Sequence, residues 1–296
     1  MSLRKGKVLV TGGAGFIGTN LVKRLVKEHS EVHVIDDFST GTLSNKIDGV
    51  IYHDIDICNV KSLDFIKPDL VYHLAAKARI QPSWNNEAEY FRVNAMGTMR
   101  IAEWCAHNSV PLIYAGSSSK WDGDTNPYTW SKSQGERMLA MLKSWHPKFE
   151  YVIARFYNVY GPYQLEASNY STLIGKWIYN LRVGLPCEIY GDGEKRRDFT
   201  HVADIVDGLI ALKHNTSMWN QTQIEYRAFD FGRGKDFSIN EVAEMFGITP
   251  EYRPGKPGEA EITHRKGHDA KTLLNWEPTL DLGPYIKNIL ITSIEN

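Results

Sequence analysis

Short apolar runs alternate with stretches of helical period through the first half of the chain. "KVLVTG" at residues 7–12, "EVHVIDD" at 31–37, "LVYHLAA" at 70–76 and "PLIYAGS" at 111–117 read as strands. Between them, residues 15–28 and "VNAMGTMRIAEWCAHN" at 93–108 carry the spacing of amphipathic helices. Nearly continuous apolar strands separated by helices predict a parallel sheet covered on both faces. Right-handed crossovers then leave a doubly wound α/β sheet of Rossmann type.

The second half changes character. "YVIARFYNVYGP" at 151–162 reads as a strand leading into a loop, and "RAFDFG" at 227–232 as another strand. Around them lie Pro- and Gly-rich pieces such as "RVGLPCEIYGDGEKRRDF" at 182–199 and "EYRPGKPGEAE" at 251–261. The pattern predicts a smaller C-terminal lobe whose chain crosses back to the main sheet. Residues 1–164 with 200–233 form the expected larger, Rossmann-type domain. Residues 165–199 with 234–296 form the expected smaller lobe.

Composition narrows the partner. The chain has 296 residues, with 34 Lys and Arg against 35 Asp and Glu, so no overall basic field draws nucleic acid or anionic lipid. A small molecule held by local charges is expected instead. No stretch approaches the ~20 apolar residues of a membrane span. "MSLRKGKVLV" runs into a strand without a secretory hydrophobic region, so a cytoplasmic protein is expected. Cys58, Cys105 and Cys187 form no metal or redox spacing and read as small hydrophobes. No metal site is expected.

The chemistry begins at "LVTGGAGFIGTNLVKRL", where Gly12, Gly15 and Gly18 follow a strand and open a helix. Gly12 and Gly13 permit a tight turn, Gly15 lets the backbone approach a pyrophosphate, and Gly18 allows close packing of helix on strand. Gly13, Gly15 and Gly18 also satisfy G-x-G-x-x-G, so spacing alone does not select a subfamily. Phe16 and Ile17 lie in the helix's first turn, where free N–H groups and the positive end of the dipole favour phosphate. The next strand ends in Asp36 and Asp37, placed to accept hydrogen bonds from ribose hydroxyls. A carboxylate there repels a 2′-phosphate, which favours NAD over NADP.

Tyr128 and Lys132 are four residues apart at the head of the helix pattern "YTWSKSQGERMLAML" and share one face. A free tyrosine ionises near pH ~10. A nearby ammonium and the positive ring of NAD would favour the phenolate.

With these residues in view, the chain resembles the extended short-chain dehydrogenase/reductase family, specifically nucleotide-sugar epimerases of the UDP-glucose 4-epimerase type. The resemblance covers nearly the whole chain. It rests on "TGGAGFIG", "DDFSTG", "HDI" at 53–55, "HLAA" at 73–76, "VNAMGT" at 93–98, "YTWSK" at 128–132, "RFYNVYGP" at 155–162 and "RDFTHVAD" at 197–204, in that order. It implies that Asp54 and Ile55 frame the adenine, and that Leu74, Ala75, Ala76 and Asn94 lie along the cofactor. It implies Ser117 as the third catalytic residue beside Tyr128 and Lys132. Counting back from Gly123 points to Ser118 instead, and Ser117 is preferred because strand registers slip less than loops.

On the substrate side the resemblance implies that Asn158 and Arg197 bind the diphosphate, and that Ser83 in "QPSWNN" and Ser118 touch the sugar. A late arginine of the family is replaced by Lys256, with Arg253 three residues earlier, and either can take the role. Dehydratases of the family carry acids just after the catalytic serine, where this chain has Ser118 and Ser119, and decarboxylases carry a Glu in that turn. Both reactions are therefore disfavoured. Ser117 and Tyr128 stand closer in sequence than is usual, which shortens a loop of the sugar pocket. The implied activity is oxidation and re-reduction at one sugar carbon, most simply carbon 4, of a nucleotide-diphosphate sugar such as a UDP-sugar, with NAD retained. A reductase or dehydratase on a related sugar, and a non-catalytic dinucleotide sensor, are the alternatives. Family members pair helices into a four-helix bundle, which implies a homodimer through 96–108 and 132–145. Met96, Ile101, Met138 and Leu142 would then be interface residues, or else ordinary core.

Overall fold

A computed structural model describes residues 6–28, 30–222 and 225–294. Its larger sheet has seven strands: β1 (Lys7–Thr11), β2 (Glu31–Asp36), β3 (Ile51–Asp54), β4 (Leu70–His73), β5 (Leu112–Ser117), β6 (Tyr151–Phe156) and, late in the chain, β10 (Ala228–Phe231). Their order is β10-β6-β5-β4-β1-β2-β3 and every pairing is parallel. The chain runs outward from β1 to β3 and then returns to the other side of β1 with β4. That reversal places a crevice at the carboxyl ends of β1 and β4, the usual ligand position in such sheets.

Helices cover both faces. α1 (Phe16–Lys27), α6 (Val202–His214) and α8 (Asp269–Leu274) close one side through Leu21, Leu25, Ile205, Leu209 and Leu274. On the other, α3 (Thr98–Asn108) and α4 (Pro127–Trp145) bury Ile101, Cys105, Leu139 and Leu142 against Val71 and Tyr114. Ile101 and Leu142 are thus core. Met96 is exposed, as are Trp130, Met141 and Trp145 along α4.

The helix expected from 93 starts earlier, at α2 (Glu87–Phe91), and reaches α3 through a π-helical turn at Arg92–Gly97. Wide turns of this kind re-aim side chains at functional sites, and this one turns Asn94 inward. The strand expected over 151–162 also divides. β6 joins the large sheet, whereas β7 (Asn158–Tyr160) pairs with β9 (Arg196–His201).

β9 anchors the smaller lobe. It pairs with β11 (Asp236–Ser238) and β13 (Ile262–Thr263), while β8 (Glu188–Tyr190) pairs with β12 (Glu251–Arg253). α5 (Leu173–Val183), α7 (Ile239–Phe246) and α9 (Leu282–Ile294) pack Ile174, Trp177, Val242, Phe246 and Ile286 into a separate core. No helix among the described residues is long and apolar enough to cross a membrane.

Candidate active site

One cavity of about 950 Å³ runs from the β1–α1 turn, past the ends of β4 and β5, to β8 and β9 of the smaller lobe. At its first end the backbone supplies the binding surface. Gly12 has φ +71°, and a Cβ there would meet the Ala75 backbone nitrogen at 2.7 Å. A Cβ on Gly18 would press into the Gly12 carbonyl oxygen. Both obstacles are backbone and cannot rotate away, so glycine is required. α1 starts at Phe16 with Gly15 as its cap, leaving first-turn N–H groups directed at the cavity.

Asp36 is buried and braces this turn: its carboxylate accepts the N–H groups of Ala14 and Phe38, each at 2.9 Å. Burial raises its pKa, and those two bonds oppose the rise. Asp37 is exposed and accepts from the Ser39 N–H and hydroxyl. Gly12, Gly15, Phe16, Ile17, Gly18, Asp36 and Asp37 line the cavity, as do Ile55, Leu74, Ala75 and Ala76. Asp54, the last residue of β3, stays exposed outside the lining; Asp56, past the strand end, reaches the cavity instead, tied to Arg92 at 2.7 Å. Asn94 is fully buried behind the wall. Its amide accepts the Lys77 N–H at 2.8 Å and donates to the Lys77 carbonyl and the Ser131 hydroxyl, clamping the loop after β4 onto α4. A glycine cradle, a helix N-terminus and paired carboxylates together fit the pyrophosphate and ribose of NAD.

The middle of the cavity brings Ser117, Tyr128 and Lys132 together. α4 is capped by Asn126, whose side chain accepts the Thr129 N–H, and Pro127 occupies its first turn. One face then carries Tyr128, Lys132 and Glu136, one per turn. A Cβ on Gly135 would collide with the Tyr114 hydroxyl, so glycine lets α4 lie close against β5. Tyr128 donates its hydroxyl to Ser117 Oγ at 3.2 Å, and Ser117 Oγ lies 2.7 Å from Ser119 Oγ. Lys132 is buried, donates from Nζ to the Ala115 carbonyl at 2.7 Å, and sits 4.2 Å from the centroid of the Tyr114 ring. Glu136 is locked in a fully buried pair with Arg155 at 2.6 Å.

The electrostatics differ from the expectation. Burial raises the Tyr128 phenol above its usual value; the Ser117 hydrogen bond and the positive charge of Arg79 pull it down. Lys132 is not among the groups that oppose the rise; burial displaces its own pKa down to about 7, with Glu136 resisting. The cation facing the phenol is therefore a residue that the spacing of Tyr128 and Lys132 could not reveal.

At the far end, Arg197 and Lys256 line the cavity with Asn158 and Lys195. Arg197 donates to the Arg196 and Glu261 carbonyls and stands 3.8 Å from Glu259. Asn158 donates to Thr263 Oγ1 at 2.9 Å. Lys256 Nζ lies 3.3 Å from the centroid of the Tyr190 ring. Arg253 is exposed outside the lining and pairs with Glu188 and Glu251. Of the two candidates for the late cation, Lys256 thus reaches the cavity. Ser118 lines the wall, but Ser83 does not: it is fully buried and donates to the Ile80 carbonyl at 2.6 Å.

Several lining residues escaped the sequence reading. Ser119 belongs to the Ser117–Ser119 run but extends the hydroxyl chain inward, a direction set by the short 3-10 turn after β5. Asp122 also faces the cavity, its pKa raised by burial and opposed by Arg197 and Lys266. An acid is therefore present on the cavity wall beside Arg197, contrary to the expectation from Ser118 and Ser119. Gln81, bonded to Glu259 at 3.0 Å, joins the two lobes.

Residues 8–224 match the model of the NAD-dependent epimerase/dehydratase family. Over 96% of its length the chain is 30% identical to a putative UDP-glucose 4-epimerase of Methanocaldococcus jannaschii, covering 97% of that protein. It is 29% identical to UDP-glucuronic acid decarboxylase 1 of Arabidopsis thaliana, across 93% of this chain and 67% of that one. UDP-glucose 4-epimerase of Thermus thermophilus, solved with NAD, superposes with a TM-score of 0.82 at 25% identity, over 97% of this chain and 99% of that one.

Proposed function

Because the chain belongs to the NAD-dependent epimerase/dehydratase family, we propose that it epimerises a nucleotide-diphosphate sugar, specifically a UDP-sugar, at carbon 4 through a 4-keto intermediate. The observation that carries this reading is the hydrogen bond from Tyr128 to Ser117 at the centre of a cavity with a dinucleotide cradle at one end and Arg197 at the other. NAD, when bound, would supply a hydride acceptor and donor and, in its oxidised form, a positive charge.

The chain's own residues do the rest. Tyr128 as phenolate takes the proton of the reacting hydroxyl and later returns it, the role of a general base and acid. Ser117 steadies that hydroxyl, and Ser119 holds Ser117 through the 2.7 Å contact. Lys132 orients the cofactor ribose from beside the Ala115 carbonyl. Arg197 grips the diphosphate through its fork of donors, Lys256 adds a point charge, and Asn158 completes that wall. In this reading residues 1–164 with 200–233 carry the cofactor and the remainder carries the sugar nucleotide. Ser118 lines the sugar subsite.

Asp122 favours a second reading, one-way dehydration, because a carboxyl with a raised pKa at the sugar end can protonate a leaving hydroxyl. Incubation of purified protein with UDP-glucose, UDP-galactose, their N-acetyl forms and UDP-glucuronate, followed by NMR, separates the two. Epimerisation gives the paired 4-epimer with no net change in NAD, while dehydration gives a stable keto product. Neither product, with no nicotinamide copurifying, would defeat the proposal and leave the sensor alternative. A homodimer through α3 and α4 is also proposed, on the exposed Met96, Trp130, Met141 and Trp145; a monomer in sedimentation would rule it out.

A further inference from the structure

Arg79 is a cation that the reaction above leaves unused. It follows β4 in the loop "AAKARIQPS", with φ +79°, a conformation that residues other than glycine rarely adopt. Such outliers persist where surrounding contacts hold them, and they cluster at ligand clamps. The contacts here are specific. Arg79 Nε donates to the Tyr170 carbonyl at 3.0 Å. The buried Tyr90 hydroxyl donates to the carbonyls of Ala78 at 2.6 Å and of Arg79 at 3.1 Å. The Tyr90 ring in turn meets the Tyr128 ring edge-on, with centroids 6.3 Å apart. Arg79 and Tyr128 are thereby fixed on one stretch of the cavity wall.

No carboxylate among the described residues lies within 4 Å of the Arg79 guanidinium, whereas Lys176, Lys195 and Arg197 each stand near a glutamate at 3.4, 3.4 and 3.8 Å. Arg79 is half-buried, and a half-buried cation without a protein anion leaves its charge for a ligand to pair. The diphosphate end of the cavity already has Arg197, Lys195 and Lys256. Arg79 instead sits with the phenol, where the sugar ring reacts. With Nε committed to Tyr170, its two terminal amino groups remain as an end-on fork that matches two carboxylate oxygens.

We propose that Arg79 receives a carboxylate on the sugar ring, so that the substrate is a nucleotide-diphosphate hexuronate. The inference rests on the reading of the cavity as a sugar-nucleotide site, but not on which reaction follows.

Calorimetric titration of the NAD-loaded protein with UDP-glucuronate and with UDP-glucose tests it. Wild type should bind the glucuronate at least about tenfold more tightly. Arg79→Gly, which suits the backbone conformation, should weaken glucuronate binding about 100-fold and glucose binding at least tenfold less than that. Equal affinities in wild type, or parallel losses for both ligands in the variant, would overturn the inference. The wild-type comparison decides even if the variant does not fold. Tight, carboxylate-selective binding without sugar interconversion would sink the epimerase reading and leave this one standing. Binding of neither ligand would sink both.

Discussion

The two ends of the cavity present positive potential by different means. At the β1–α1 turn the positive potential comes from backbone N–H groups, and the shape comes from glycines whose Cβ positions are filled by other backbone atoms. At β8, β9 and β13 it comes from side chains, Arg197, Lys195 and Lys256, set against Glu259, Glu261 and the Tyr190 ring. The first arrangement cannot be altered without altering the fold. The second can be retuned residue by residue, as a family that varies its sugars requires. Between the two, Tyr128 is bonded to Ser117, with Ser119 behind the serine and the Tyr90 ring edge-on to the phenol.

The largest effect should therefore arise at that junction without disturbing either end. Tyr128→Phe removes the proton acceptor and one hydrogen bond to Ser117. Turnover should fall about 10³–10⁴-fold, with NAD still bound and the melting temperature within ~2 °C. Loss of NAD in this variant would show that the junction belongs to the cofactor end.

Next comes the rigid end. Gly18→Ala drives a methyl into the Gly12 carbonyl, and the backbone of two elements must separate. Overpacking of this kind costs about 3 kcal/mol, a melting shift of roughly 5–10 °C, and copurifying NAD should be lost as well. Normal melting with weakened NAD would mean that the glycine serves the ligand alone.

Lys132 couples chemistry to stability through pH. Its folded pKa of about 7 lies below the ~10.5 of an exposed lysine. Between those values the unfolded chain holds the extra proton, so this residue's contribution to stability increases as pH rises from 7 to 10.5 and is smallest below 7. Lys132→Met should flatten that part of the profile and, at pH 6, exceed wild type by about 2 kcal/mol in urea unfolding while losing activity. A parallel pH profile in the variant would contradict the assignment.

What could be read from the chain follows the same divide. Gly12, Gly15 and Gly18 are recognisable because backbone requirements recur at fixed spacing. Tyr128 and Lys132 are recognisable because four residues return a helix to the same face. The central strands were plain, as their residues are buried on both faces; β3 was not, since its two ends are exposed and its middle only half-buried. Loops carry no such period. Ser83 is expected to touch the sugar, yet it turns inward and donates to the Ile80 carbonyl. Arg79, Ser119 and Asp122 are brought to the cavity by turns after β4 and β5 that no hydrophobic pattern encodes. Asp198 would pass for a partner of Arg197, but it is buried on the other side of β9, accepting the N–H groups of Arg233, Gly234 and Arg265.

The smallest effects belong to the adjustable end. Arg197→Ala should raise KM about tenfold with kcat less affected, since its protein partners are carbonyls and a glutamate 3.8 Å away. Lys256→Ala should raise KM only a fewfold, because a single ammonium over the Tyr190 ring contributes roughly 1 kcal/mol. Arg253→Ala provides the reference: its pairs with Glu188 and Glu251 lie at the surface, where such bridges contribute about 0–1 kcal/mol. Steady-state kinetics on the three variants should rank them in that order, with Arg253→Ala indistinguishable from wild type. A larger KM change for Arg253→Ala than for Lys256→Ala would reverse the choice between them and move the diphosphate toward the open edge of β12.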